Sequence, residues 1–108
     1  MTSKYLNLDN FSQINEILKL DKAIIFKHST QCPISADALA EFESFLSEDP
    51  AVMAYYVDVI KDRPLSQKIA QTFNIQHESP QILILERGKV KFNTSHRNIK
   101  KQTLLSSI

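Results

Sequence analysis

Ala23-Ile24-Ile25-Phe26-Lys27-His28-Ser29-Thr30-Gln31-Cys32-Pro33-Ile34-Ser35 is the stretch on which the fold turns. Its first part, Ala23–Lys27, reads as a buried strand: a short apolar run followed by polar residues. Pro33 suits the first position of a helix, because its missing N–H would be unpaired there anyway. A strand, a short polar loop and a Cys-Pro helix start is how thiol–disulfide enzymes present a reactive sulfur. Cys32 is the only cysteine among 108 residues, and Ser35 stands where a second one would complete Cys-x-x-Cys. A reactive Cys32 must therefore work alone, through a mixed disulfide with another molecule.

Outward from this stretch, helical and strand patterns alternate without linker or repeat. Upstream, Phe11, Ile14, Ile17 and Leu18 recur at helical spacing, and Asn10 with Gln13 supplies a cap, predicting a helix near residues 10–19. Downstream, Leu39, Phe42, Phe45 and Leu46 mark an apolar stripe on a long helix from Pro33 to about Glu48. Asp49-Pro50 ends it, since proline disfavours helix at the residue before it. Val52–Val59 is rich in β-branched and aromatic residues and predicts a second strand. Pro64 opens a third helix with Leu65, Ile69 and Phe73 on one face. Ile82–Leu85 and Val90–Phe92 predict two strands joined by Glu86-Arg87-Gly88-Lys89, which holds the chain's only glycine. A last amphipathic helix, about Ile99–Ser107, buries Ile99, Leu104 and Leu105. The order α-β-α-β-α-β-β-α joins the first two strands by a right-handed parallel crossover and the last two as an antiparallel hairpin. That is the thioredoxin fold: an α/β domain with a four-stranded mixed sheet flanked by helices, spanning residues 1–108 as one unit.

Composition narrows the function classes. The hydrophobic fraction, 43%, is ordinary for a globular protein, and the net charge of +1 gives nucleic-acid binding no support. Segment 89–101 holds five Lys and Arg, read as a solvated hairpin edge and helix face. A lone cysteine excludes an internal disulfide framework. The first twenty residues carry Lys4, Asp9, Glu16 and Lys19 without a continuous apolar core, and no run reaches ~18 apolar residues. Neither a signal peptide nor a membrane span is expected, and the expected setting is a reducing cytoplasm.

The thiolate, not the thiol, attacks a disulfide, so a useful nucleophile needs its charged form favoured. Cys32 just before Pro33 faces the free N–H groups of a helix N-terminus, which attract negative charge. Ser35, about one turn in, is placed to add a hydroxyl hydrogen bond, and Lys27 and His28 add positive potential unless strand alternation turns one away. The competing reading is an inert, packed cysteine. Against it, Cys32 lies between polar Thr30-Gln31 and a proline. His28, Cys32, His77 and His96 lack zinc-like spacing, so no metal is expected.

Ser79-Pro80, directly before the apolar strand Gln81–Leu85, is the second signal. Thioredoxin-fold proteins place a cis-proline here against the active cysteine, exposing the backbone of the preceding residue to an extended ligand. His77-Glu78 reads either as a solvated loop pair or as a pair managing protons for the exchanging thiols. His96 reads as a surface residue in the cap region of the final helix.

Taken together, Lys27-His28-Ser29-Thr30-Gln31-Cys32-Pro33-Ile34-Ser35 resembles the active-site signature of the monothiol bacilliredoxins. Arg63-Pro64-Leu65-Ser66, His77-Glu78-Ser79-Pro80-Gln81-Ile82 and Thr94-Ser95-His96 are similar to further marks of that family, in matching order along nearly the whole chain. The resemblance implies a thioredoxin-like fold and thiol–disulfide exchange with bacillithiol, a cysteinyl glucosamine malate, as co-substrate and no tightly bound cofactor. It implies Cys32 as nucleophile, helped by Pro33 and Ser35, taking bacillithiol from a client mixed disulfide. An external thiol then resolves the adduct, because Ser35 cannot. Lys27, His28, Thr30, Ser79 and Pro80 are the candidates by position to hold the ligand. The implied partners are bacillithiolated client proteins, bacillithiol itself and a bacillithiol disulfide reductase, with neither nucleic acid nor membrane.

Three alternatives stand beside this one. A monothiol glutaredoxin using another small thiol would carry a glycine-containing centre and a Gly-Gly pair after the hairpin, and Gly88 is the only glycine here. A non-catalytic thioredoxin-like module would hold Cys32 merely as a site of modification. An arsenate-reductase-like use of one cysteine lacks the arginine cluster an oxyanion needs.

Overall fold

The computed structural model describes residues 5–48 and 50–108. Its elements are β1 (Leu6–Asn7), α1 (Gln13–Ile17), β2 (Lys22–His28), α2 (Pro33–Leu46), β3 (Met53–Asp58), α3 (Arg63–Thr72), β4 (Gln81–Glu86), β5 (Lys89–Ser95) and α4 (Lys101–Ser107), with a 3-10 turn at His96–Asn98. The strands form one mixed sheet in the order β1-β3-β2-β4-β5. β1, β3 and β2 run parallel, whereas β4 and β5 run antiparallel to their neighbours.

The sheet thus has five strands where the sequence predicts four. The extra one, β1, is two residues long and pairs Leu6 with Tyr55 and Asn7 with Tyr56. It lies on the sheet edge with both side chains exposed, so it leaves no buried–exposed alternation to read.

Helix boundaries also shift. In α1 the helix begins later than predicted: Gln13 Oε1 accepts the Asn10 N–H at 2.9 Å, but residues 10–12 make turns, and Ser12, with no side-chain cap bond, is the N-cap. After Ile17 the bonds tighten to three-residue spacing, Lys19 N–H to Glu16 and Leu20 N–H to Ile17, which closes the helix early. α4 starts two residues later than predicted. Ile99 is extended, and a carboxylate of α2, Glu41 Oε1, accepts the Lys101 N–H at 2.7 Å and caps the new helix. α2 ends at Leu46; Asp49 of the predicted Asp49-Pro50 stop lies outside the described residues. The hairpin turn has Arg87 at φ 51° and Gly88 at φ 80°, the paired left-handed geometry that matches strand twist. A Cβ on Gly88 would lie 3.1 Å from the Leu18 carbonyl oxygen.

β2 is the strand that positions everything else. It is central, covered on both faces, and reads as a continuous apolar run for that reason. Ala23 and Ile25 pack with Ile14, Ile17, Leu65 and Ile69 under α1 and α3. Ile24 and Phe26 pack with Phe42, Phe45 and Leu104 under α2 and α4. The same period of two sends Lys27 toward the α3 face and His28 toward the α2 face. The chain then leaves the sheet and reaches Cys32.

Candidate active site

Cys32 is the N-cap residue of α2, with φ −116° and ψ 120°, and Pro33 takes the first helical position. The Cys32 carbonyl accepts the N–H groups of Ser35 (3.0 Å) and Ala36 (3.2 Å). Pro33 has no N–H, so Ile34 carries the first-turn donor without a backbone partner among the described residues. The side chain of Cys32 is partly exposed, beside exposed Thr30, Gln31 and Pro33.

The loop that carries the sulfur is clamped from below. Ser35 is fully buried, and its Oγ accepts the Ser29 N–H at 2.9 Å and lies 2.7 Å from Nδ1 of His28. The Ser29 carbonyl in turn accepts the Cys32 N–H at 3.2 Å. Four residues thereby fix one another, and the hydroxyl expected to face the sulfur is engaged by His28 and Ser29 instead. No hydrogen bond from Ser35 to Cys32 Sγ occurs among the described residues.

His28 is buried among rings, 5.6 Å from Phe26 and 5.5 Å from Tyr56 between centroids. Burial pushes its pKa below the usual imidazole value, against the pull of Asp58, Ser35 and Glu43. The ring is therefore neutral at pH 7, and Ser35 pairs with whichever tautomer is present.

On the opposite face Lys27 is also fully buried. Its Nζ donates to the Ser66 carbonyl at 3.0 Å and lies 3.2 Å from Nδ1 of His77. No carboxylate joins it in an ion pair among the described residues. Burial lowers its pKa to about 8. The His77 pKa is lowered too, first by burial, then by Lys27 and Arg63, with Glu78 opposing. Neutral His77 thus accepts at Nδ1 and carries its proton on Nε2.

The Ser79–Pro80 peptide bond is cis. Pro80 is buried one residue past the Lys27–Gln81 pair, which sets it at the end of the sheet where β2 hands over to the Cys32 loop. Ser79 Oγ is buried and has no hydrogen-bond partner among the described residues. Gln81 Nε2 donates to the Gln76 carbonyl at 2.9 Å, folding the 76–80 loop back on the strand. His96, with φ 55°, donates its N–H to the Pro80 carbonyl at 3.0 Å, and its ring lies 3.5 Å from Glu78.

The structure thus brings Cys32, Pro33 and Thr30 to the surface, with Ser79 and Pro80 at the same end of the sheet. Lys27 and His28 do not reach the surface; both head groups are committed inside the protein. Sequence reasoning missed Ser66 and Gln81 as the partners that hold the proline loop. A glutamine at the head of the apolar run 81–85 was the available signal, because a buried polar side chain in a strand needs a partner. His96 is exposed, as predicted, but it also ties the proline loop to the final helix region.

A family model described as monothiol bacilliredoxin BrxC matches residues 6–104. Among solved structures, one described as a candidate oxidoreductase with a thioredoxin fold is 32% identical, with a TM-score of 0.89, and the match covers 96% of this chain and 93% of that one. Mitochondrial thioredoxin 3 from Saccharomyces cerevisiae, in its oxidised form, superposes with a TM-score of 0.77 at 16% identity, covering 96% of this chain and 92% of that one. Thioredoxin from Trypanosoma brucei brucei gives 0.76 at 16% identity, covering 95% and 86%. At that identity the two thioredoxins bear on the fold alone.

Proposed function

The chain belongs to the monothiol bacilliredoxin family and has a thioredoxin-like oxidoreductase fold, and from that premise we propose that it removes bacillithiol from protein mixed disulfides. The single observation that carries this reading is the placement of the only sulfur: a partly exposed Cys32 at the N-cap of α2, with no second cysteine in the chain.

The steps balance around one sulfur. The Cys32 thiolate attacks the bacillithiol sulfur of the client disulfide. A Cys32–bacillithiol bond forms, the client sulfur–bacillithiol bond breaks, and the client leaves as a thiolate that takes a proton from water. A second bacillithiol, as thiolate, then attacks the bacillithiol sulfur of the adduct. Bacillithiol disulfide leaves and Cys32 is restored. The client is reduced, the one free bacillithiol is oxidised, both bacillithiols leave joined as the disulfide, and the enzyme is unchanged. A bacillithiol disulfide reductase would recycle the product, in a cytoplasm that keeps Cys32 reduced.

The helix N-terminus favours the attacking and departing anion, and the Ser29–Ser35–His28 clamp holds the sulfur in one place, so little ordering is left for the transition state. Pro33 keeps the first turn open. The test is single-turnover exchange with one client peptide carrying bacillithiol or glutathione. The expected result is faster release from bacillithiol than from glutathione, and faster than by a free thiol. Equal rates with both adducts would contradict the reading, and preference for glutathione would replace it with a glutaredoxin-type one.

A further inference from the structure

A cleft of about 180 Å³ lies between α2 and the chain that leads into α4. One wall is a single stripe of α2, Ile34, Asp37 and Glu41, spaced to share a face. The other is His96, Arg97 and Lys100. Both walls start at the reacting end. Ile34 is two residues past Cys32, and His96 is hydrogen-bonded through its N–H to the Pro80 carbonyl. The first wall is acidic and the second basic.

Most neighbouring charges are spent. Lys101 pairs with Glu48 at 2.8 Å, Glu41 Oε1 holds the Lys101 N–H, and His96 faces Glu78. Arg97 and Lys100 are exposed and form no ion pair among the described residues, and Asp37 forms none either.

Resting on the function proposed above, we infer that this cleft is the binding site for the bacillithiol moiety of the disulfide. The ligand's charges are ordered as the walls are. Its cysteine is amide-linked through the carboxyl, so a free α-ammonium lies next to the sulfur, and the two malate carboxylates lie beyond the sugar. Asp37, five residues on from Cys32 and roughly 7.5 Å along the helix axis, is the acid of this wall assigned to the ammonium. Arg97 and Lys100 take the two carboxylates on the facing wall, Arg97 offering a planar fork and Lys100 a mobile charge. Glutathione orders its charges differently: its cysteine has no free ammonium, and its carboxylates lie at both ends.

The test uses one client peptide in three forms: as the disulfide of bacillithiol, of cysteinyl glucosamine without malate, and of 2-mercaptoethanol. Single-turnover rates are compared for the full-length protein and for the double variant Arg97→Gln, Lys100→Gln. In the wild type the bacillithiol form should outpace the malate-free form by about tenfold, the scale of two partly screened charge-assisted contacts. The double variant should lose most of that ratio. Retention of the ratio in the variant would overturn the cleft assignment while leaving the proposed function intact. A wild type that favours bacillithiol no more than the mercaptoethanol form would overturn both.

Discussion

Two buried polar groups end the same strand, and they are built in opposite ways. On the α2 face, His28 is neutral and pairs with Ser35, which also holds the Ser29 N–H beneath the cysteine loop. On the α3 face, Lys27 keeps a cation out of water with only a carbonyl and an imidazole nitrogen as partners. The first arrangement is satisfied without charge and fixes Cys32. The second carries a desolvation cost, and it holds the loop that leads to Pro80 against α3. One residue of alternation separates support for the nucleophile from support for the proline loop, and neither side chain is left to meet the ligand.

The largest effect follows from Lys27. Its pKa falls from 10.5 to about 8 in the folded protein. Between those values the unfolded chain binds the extra proton, so stability contributed by Lys27 rises with pH across that window and is lost again as pH falls through about 8. The expected gain is about 3 kcal/mol at most. Urea denaturation of wild type and Lys27→Met at pH 7.5 and pH 10.5 reads it directly, because the shared titration of Tyr55 and Tyr56 cancels in the difference. A wild-type slope equal to that of Lys27→Met would mean the lysine is not desolvated as described.

On the other face, Ser35→Ala removes the hydroxyl that holds Ser29 and His28. Two polar groups lose a partner, and stability should fall by about 1–3 kcal/mol. Cys32 should still accept an adduct, but more slowly, because its loop is less well held. Denaturant titration alongside single-turnover rates checks both. Unchanged stability with a large loss of rate would move Ser35 from the clamp to the reacting sulfur, where the sequence alone placed it.

The smallest effect is the acid limb. His28 and His77 are both held below the usual imidazole value by burial. The unfolded chain therefore takes up protons first, near pH 6.5, and the stability these histidines contribute declines as pH falls below that value. His28→Phe and His77→Phe should each flatten part of the decline seen in thermal melts between pH 7 and pH 5. If only one does, the comparison between the two faces becomes an asymmetry in acid response.

Much of this is legible in the sequence. The Cys-Pro helix start, the apolar run of β2, the proline before β4 and the Gly88 turn are local signals, and each falls where it was read. The sheet's fifth strand was not, because two exposed edge residues carry no period. The late start of α4 was hidden as well, since its cap comes from Glu41, sixty residues upstream. The same distance problem hid the partners of Lys27: Ser66 and His77 are 39 and 50 residues away. The sequence reading offers Lys27 and His28 as ligand contacts, with alternation turning one away; both side chains are instead committed inside the protein. The strand is covered on two faces, which leaves neither side free, and the buried run read as ending at Lys27 extends through His28.

The most direct measurement is intact-mass spectrometry of the reduced protein mixed with a bacillithiolated client. The account predicts one bacillithiol mass on the wild type, none on Cys32→Ala, and the client returned to its free thiol. A client that stays modified while the wild type remains unmodified would contradict it.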